Sequence, residues 1–179
     1  MSSNLLQMQN GHKAYGLQVL FDDAVFAINE GEHVGVIGPN GAGKSTLFKV
    51  LIHPDELDSG QIIRSQALRL GYLSQHDEWE PNETGNDYLE RVCKIPVWQA
   101  KAAGRSLQVS EENFAKPILS LSGGYRMRIK LIGLLGTNPN LMLLDEPTNY
   151  LDLETTLLLE SFLQSYEGAF LLITHDREI

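Results

Sequence analysis

The stretch His33-Val-Gly-Val-Ile-Gly38-Pro-Asn-Gly-Ala-Gly-Lys-Ser-Thr46-Leu-Phe-Lys-Val-Leu-Ile52 decides the fold. Residues 33–37 form a short apolar run, which suits a buried parallel strand. Residues 38–45 then fit the pattern G-x-x-x-x-G-K-[ST], and residues 44–53 read as a helix. Strand, glycine-rich loop and helix in that order are the context in which such a loop cradles phosphates. Gly41 and Gly43 let the backbone come close, so that successive N–H groups and the positive end of the helix face negative charge. Lys44 supplies a mobile cation for the β- and γ-phosphates. The Ser45 hydroxyl can complete a Mg²⁺ shell, and Thr46 can bond a further phosphate oxygen. Gly38, Pro39, Asn40, Gly41, Ala42, Gly43, Lys44, Ser45 and Thr46 are therefore candidate nucleotide-binding residues.

On either side of the loop the pattern is that of an α/β domain. Residues 19–28 and 61–72 are rich in Val, Ile, Phe and Leu and are bounded by turn signals, which predicts an early, largely antiparallel sheet. Residues 141–144 and 169–173 are apolar runs of the same kind as 33–37, and residues 153–166 are helical in pattern. Strand and helix thus alternate, as crossover connections require. Between residues 75 and 119 the sequence becomes polar and helix-prone, with turns near Pro81, Pro96 and Gly104, which predicts a small helical insertion.

Asp145 and Glu146 follow the apolar run 141–144, at the strand end where the catalytic groups of open α/β sheets collect. Adjacent carboxylates there can divide the labour. Asp145 would hold Mg²⁺ through water, and Glu146 would polarise the attacking water. His175 follows the run 169–174, and that places it at the corresponding end of another strand, within reach of a γ-phosphate. The remaining histidines, His12, His33, His53 and His76, show no ligand spacing with one another or with Cys93, so Mg²⁺ carried by the nucleotide is the metal expected.

The 179 residues suffice for one domain with a core. The lone Cys93 and the plain start MSSNLLQMQN predict a reducing, cytoplasmic setting without a secretory leader. A formal charge of −9 with 14 Lys and Arg argues against a broad DNA-binding surface. Arg126, Arg128 and Lys130 read as a solvated face of one helix. Residues 77–90, with six acidic residues and no Lys or Arg, read as exposed loop and helix surface.

Leu121-Ser122-Gly123-Gly124, a short way before Asp145, resembles the LSGGQ signature of ABC ATPases, with Tyr125 at its last position. Ser122 would cap the helix that follows, and the glycines would expose N–H groups at its positive end. The resemblance runs from Tyr15 to the end of the chain. It implies a P-loop NTPase core with a mostly parallel sheet (residues 1–74 and 120–179), an N-terminal antiparallel β subdomain and a small helical subdomain (residues 75–119), all in one ATP-binding domain. It also implies further roles. Tyr15 is similar to the aromatic that stacks on adenine, and Gln75 to the Q-loop glutamine at Mg²⁺ and the attacking water. Asp152 resembles the D-loop aspartate, and His175 the switch histidine. ATP and Mg²⁺ are the implied cofactors.

The run Glu146-Pro-Thr-Asn149-Tyr-Leu-Asp152 is most similar to the F subfamily, whose members carry two such domains on one chain, lack membrane spans and in many cases act on ribosomes. The chain resembles the first half of such a protein, ending sooner than the family does. Departures from the pattern are Tyr150 and Tyr125 in place of the usual residues and an interval between Gln75 and Ser122 too short for the long arm of many F-type proteins. The missing arm weighs against ribosome binding. In the superfamily the signature of one domain completes the ATP site of another, which implies a head-to-tail pair as the working unit. Two other readings are the ATPase subunit of a transporter, with a membrane protein as partner, and a nucleotide-dependent interaction module with little turnover.

Overall fold

A computed structural model describes residues 3–39, 41–74, 79–149 and 151–174. In chain order these form β1 (Asn4–Tyr15), β2 (Gln18–Asn29), β3 (His33–Ile37), α1 (Lys44–Ile52), β4 (Ser59–Arg64), β5 (Leu70–Leu73), α2 (Gly85–Val92), α3 (Val97–Ala103), α4 (Glu111–Phe114), α5 (Gly123–Gly136), β6 (Leu141–Asp145), α6 (Leu153–Ser165) and β7 (Ala169–Thr174). The chain divides into two compact units, one of residues 1–70, 140–145 and 168–179, the other of residues 71–139 and 146–167.

In the first unit an antiparallel sheet of order β2-β1-β4 accompanies the parallel strands β3-β7-β6. Sequential strands that are spatial neighbours only through a crossover produce this parallel order. Every residue of β6 and β7 is buried, which is why both read as unbroken apolar runs rather than as alternating ones. Phe48 and Leu51 of α1 are 1% and 0% exposed and join Leu141, Leu143, Leu171 and Ile173 in one core. Burying a side chain of that size contributes roughly 1.5–3 kcal/mol, and this anchors the helix that begins in the phosphate loop.

One sequence expectation needs correction here, and one strand was missed. Residues 61–72 are not one strand: β4 stops at Arg64, and a turn follows in which Ala67 N–H donates to Ser65 Oγ (3.2 Å) and Leu68 N–H to the Ser65 carbonyl (3.1 Å). The hydroxyl offers the backbone a local partner in place of the ladder. The central strand of the antiparallel sheet is β1, whose polar sequence gave no strand signal. Its pairing with β2 carries several register shifts, and Asn10 adopts φ +48°. Bulges of that kind break the alternation on which strand recognition depends.

The second unit is mainly helical. Thr84 opens α2 with a capping box to Asp87, and α5 packs against α2 and α3. The two surfaces expected to be solvated are partly interior. Arg128 is 5% exposed, donating from Nη2 to Thr155 Oγ1 at 2.8 Å, and Lys130 donates to the Ser74 carbonyl at 2.7 Å. Helix α5 is enclosed by neighbours, so its cations lie among acceptors instead of water. Likewise Glu83 is 7% exposed and takes two hydrogen bonds from Arg91, at 2.7 and 2.9 Å.

The Arg91 guanidinium holds the Glu83 carboxyl below the usual carboxylate range, against the opposing effect of burial. A depressed folded-state pKa means the contribution is complete above the ordinary carboxylate value and is lost as pH falls through the lowered one. Removing one partner of a buried pair costs about 3–5 kcal/mol. Because the Arg91 side chain is 39% exposed, Arg91→Met is expected to cost roughly 2 kcal/mol. Urea melts at neutral pH measure that loss, and the variant's stability should vary less between pH 6 and pH 3. Equal urea midpoints for the two proteins would show that the pair does not stabilise the unit.

Candidate nucleotide site

Helix α1 starts at Lys44, and its N-cap, Gly43, adopts φ +91°. That conformation suits glycine and strains other residues. Among the described residues no side chain caps this end, and its first turn holds no acidic residue. The orphan N–H groups and the positive end of the helix dipole are thus left for an anion. Gly41, at φ +78°, lies within the same turn. The Lys44 side chain, 8% exposed, folds back so that Nζ donates to the carbonyls of Gly38 (2.7 Å) and Pro39 (3.1 Å). A cation braced by its own loop is already close to where phosphate oxygens would enter. Leu20 of β2 lies over the loop, since a Cβ on Gly43 would be 3.2 Å from Leu20 Cβ. An apolar cleft of about 250 Å³ runs beside it, floored by Met8, Phe21, Phe26 and Val36 and closed at the loop by Lys44.

Ser45 and Thr46 fall in the first turn of α1, and Asp145 ends β6, 6% exposed. Strands β3, β6 and β7 are parallel, so the loop after β3, Asp145 after β6 and Thr174 at the end of β7 share one edge of the sheet. The metal candidates among the described residues, Ser45 and Asp145, offer a hydroxyl and a carboxylate, donors that suit Mg²⁺. Among the described residues no three His, Cys, Asp or Glu converge on a possible metal position. Tyr15, 49% exposed, closes β1, with Lys13 Nζ 5.0 Å from its ring centre.

The second unit holds the other candidates. Glu146 adopts φ +47°, a left-handed conformation uncommon outside glycine. Asn149 fixes it: its side-chain amide donates to Glu146 Oε2 and its N–H to the Glu146 carbonyl, the latter at 3.1 Å. Ser122 caps α5, its Oγ accepting the Tyr125 N–H at 3.4 Å, and Gly123 is exposed beside it. Gly124 is packed so closely that a Cβ would lie 2.4 Å from Thr155 Oγ1. Asp152 caps α6 by accepting the Thr155 N–H at 2.8 Å, and that bond, helped by the Thr155 hydroxyl and Arg128, lowers its pKa. The starts of α5 and α6 are thereby tied together through Gly124, Arg128 and Thr155. Sequence reasoning missed Asn149 and Arg128 as supports. The tie of Asn149 to Glu146 spans three positions and could have been looked for, whereas Arg128 finds Thr155 only through the fold. Asn40, Gln75 and His175 lie outside the described residues, as does Tyr150.

Known proteins resemble the chain in sequence and in fold. The family model described as ABC transporter matches residues 21–149. The chain is 36% identical over 185 residues to the energy-dependent translational throttle protein EttA of Escherichia coli (strain K12), covering 99% of this chain and 33% of that protein. It is also 36% identical over 173 residues to the ribosome protection protein VmlR of Bacillus subtilis (strain 168), covering 96% of this chain and 31% of that one. The chain therefore spans about a third of the length of the curated relatives it matches. Among solved structures, a metal-chelate type ABC transporter in an inward-facing conformation superposes with a TM-score of 0.80 at 27% identity, over 97% of this chain and 73% of that one. The post-hydrolysis dimer of the ATP-binding cassette MJ0796 with ADP and Pi shares the fold, with a TM-score of 0.79 at 23% identity, over 97% and 89% of the two chains.

Proposed function

The chain belongs to the ABC transporter family, and from that premise we propose that it is one ATP-binding and ATP-hydrolysing domain that works in a head-to-tail pair, within an F-type protein that serves translation. The observation that carries the reading is the uncapped start of α1, with Gly41 and Gly43 in left-handed conformations and Lys44 folded onto the loop. Such an arrangement favours an anion, because the unpaired N–H groups, the positive end of the helix dipole and the Lys44 ammonium act together. The translational link rests on the two relatives, a translational throttle protein and a ribosome protection protein.

In this reading the loop N–H groups and Lys44 would hold the phosphates of ATP, and Ser45 and Asp145, with Gln75, would hold Mg²⁺, whose charge would offset that of the transferring phosphoryl group. Tyr15 stacks on the base. Glu146 orients the attacking water and takes up its proton, and His175 stabilises charge on the γ-phosphoryl group. The exposed Ser122 and Gly123, with Gly124 behind them, present the positive end of α5 to the nucleotide of a second ABC domain, and Asp152 lies at the same junction. That second domain is a further stretch of the same longer protein or another copy of this chain.

A domain that completes its site only with a partner has a rate that depends on pairing. For the isolated chain, doubling a dilute protein concentration should raise total phosphate release about fourfold rather than twofold. A steady-state phosphate assay across a dilution series decides this, and strict proportionality would show that one chain hydrolyses ATP alone. No release above a Lys44→Ala control at any concentration would point to the interaction module. Among the described residues no helix is long and apolar enough to cross a membrane. Co-purification with an integral membrane protein would favour the transporter subunit, the reading that the metal-chelate transporter neighbour supports.

A further inference from the structure

Tyr15 stands at the end of β1, beside the exposed turn at Gly16 and Leu17, where an aromatic ring has little to hold it. The residues around it are nonetheless organised. Lys13, two positions earlier, falls on the same face of the strand. Its side chain is almost wholly buried while its ammonium lies over the Tyr15 ring. That ammonium is paired with Asp58 Oδ1 at 2.9 Å, and Asp58 Oδ2 accepts the Ala14 N–H at 2.7 Å. One carboxylate thus binds both the cation under the ring and the backbone between Lys13 and Tyr15.

Asp58 is itself fixed in place. Its N–H donates to the His12 carbonyl at 3.1 Å, and β4 starts at the next residue, with Ser59 opposite His12. Gly60, at φ +91°, packs so tightly that a Cβ would fall 2.3 Å from the Asn10 carbonyl oxygen. Only glycine fits at this close approach of the turn to β1. Both charges are secured by this contact: Asp58 has its pKa lowered by Lys13, and Lys13 has its raised by Asp58. If sheet stability were the only need, an apolar side chain at position 13 would serve as well, because burying an ammonium carries a desolvation cost.

We propose that Lys13 and Asp58 are positioning residues for Tyr15, holding its ring as a one-faced platform on whose free side, opposite the Lys13 ammonium, the base of the bound nucleotide stacks. The proposal rests on the reading of Tyr15 as the base-stacking residue. A cation on one face draws π-density toward itself, which makes the opposite face less negative and a better partner for the π-face of a purine. The ion pair also limits rotation of the ring, so less freedom is lost on binding.

Calorimetric titration of the 179-residue chain with MgATP, and separately with inorganic tripolyphosphate, which has no base, tests this. Lys13→Met and Asp58→Asn are each expected to weaken ATP binding roughly three- to tenfold and to leave tripolyphosphate binding unchanged, with Lys13→Arg close to the unsubstituted chain. Tyr15→Ala should weaken ATP by roughly five- to a hundredfold, again without effect on tripolyphosphate. If Tyr15→Ala weakens ATP binding while Lys13→Met does not, the proposal fails and the base-stacking reading stands. If Tyr15→Ala binds ATP as tightly as the unsubstituted chain, that reading fails and the proposal with it. Equal losses of ATP and tripolyphosphate in Lys13→Met would make the pair a structural staple, contrary to the proposal. Should Asp58→Asn fail to fold, Lys13→Met decides alone, since the carboxylate it leaves behind is 42% exposed and can be hydrated.

Discussion

Glu146→Gln is expected to lower steady-state phosphate release by about 10²–10⁴-fold, the contribution typical of a positioned general base, while ATP still binds. The substitution isolates the chemistry from the structure. Glutamine keeps the shape of the side chain, and its carbonyl oxygen can still accept the Asn149 amide that now holds Glu146 Oε2. The left-handed backbone at this position, φ +47°, is set by the turn after β6, in which the Asn149 N–H returns to the Glu146 carbonyl. Losing the charge therefore removes the base without releasing the loop. With hydrolysis blocked and ATP retained, the paired form should accumulate. Light scattering on a sizing column in saturating MgATP should show a dimer for the variant and mostly monomer for the unsubstituted chain. A variant that stays monomeric there, or that turns over at the unsubstituted rate, would overturn the assignment of Glu146. Asn149→Ala provides the graded control. It keeps the carboxylate but frees it, so phosphate release should fall less than in Glu146→Gln, with ATP affinity retained.

The parts of this site that were legible in the sequence are those whose chemistry is local. Gly41 and Gly43 are required because the backbone takes positive φ there, and Lys44 and Ser45 follow at fixed offsets, so a run of nine residues specifies the loop. The buried strands β6 and β7 announced themselves because both of their faces are covered. Strand β1 did not, since register shifts and the positive φ at Asn10 destroy its alternation. Charged residues misled for a related reason. Whether Arg128 or Glu83 is solvated depends on Thr155 and Arg91 arriving beside them. In the pair Lys13 and Asp58 the partners are 45 positions apart, and only the pairing of β1 with β4 unites them.

Lys44→Met should reduce ATP affinity by about 10- to 150-fold, because it removes hydrogen bonds from a charged donor, each worth about 1.5–3 kcal/mol. Methionine keeps most of the aliphatic stem, so the 8% exposed position remains filled, and the loss reports on the ammonium alone. Two consequences separate this role from a purely structural brace. In the structure the ammonium binds the carbonyls of Gly38 and Pro39. If that were its purpose, removing it would loosen the loop and lower the melting temperature without nucleotide. If its purpose is the triphosphate, the nucleotide-free melting temperature should change little and the rise produced by MgATP should largely disappear, since a ligand stabilises in proportion to its occupancy of the folded state. Lys44→Arg should not restore binding. The guanidinium is a broad planar fork, whereas the ammonium seated on two loop carbonyls is a compact point charge. Paired melting curves with and without MgATP distinguish the two cases. An undiminished nucleotide-induced shift in Lys44→Met would show that the Lys44 ammonium does not bind the nucleotide.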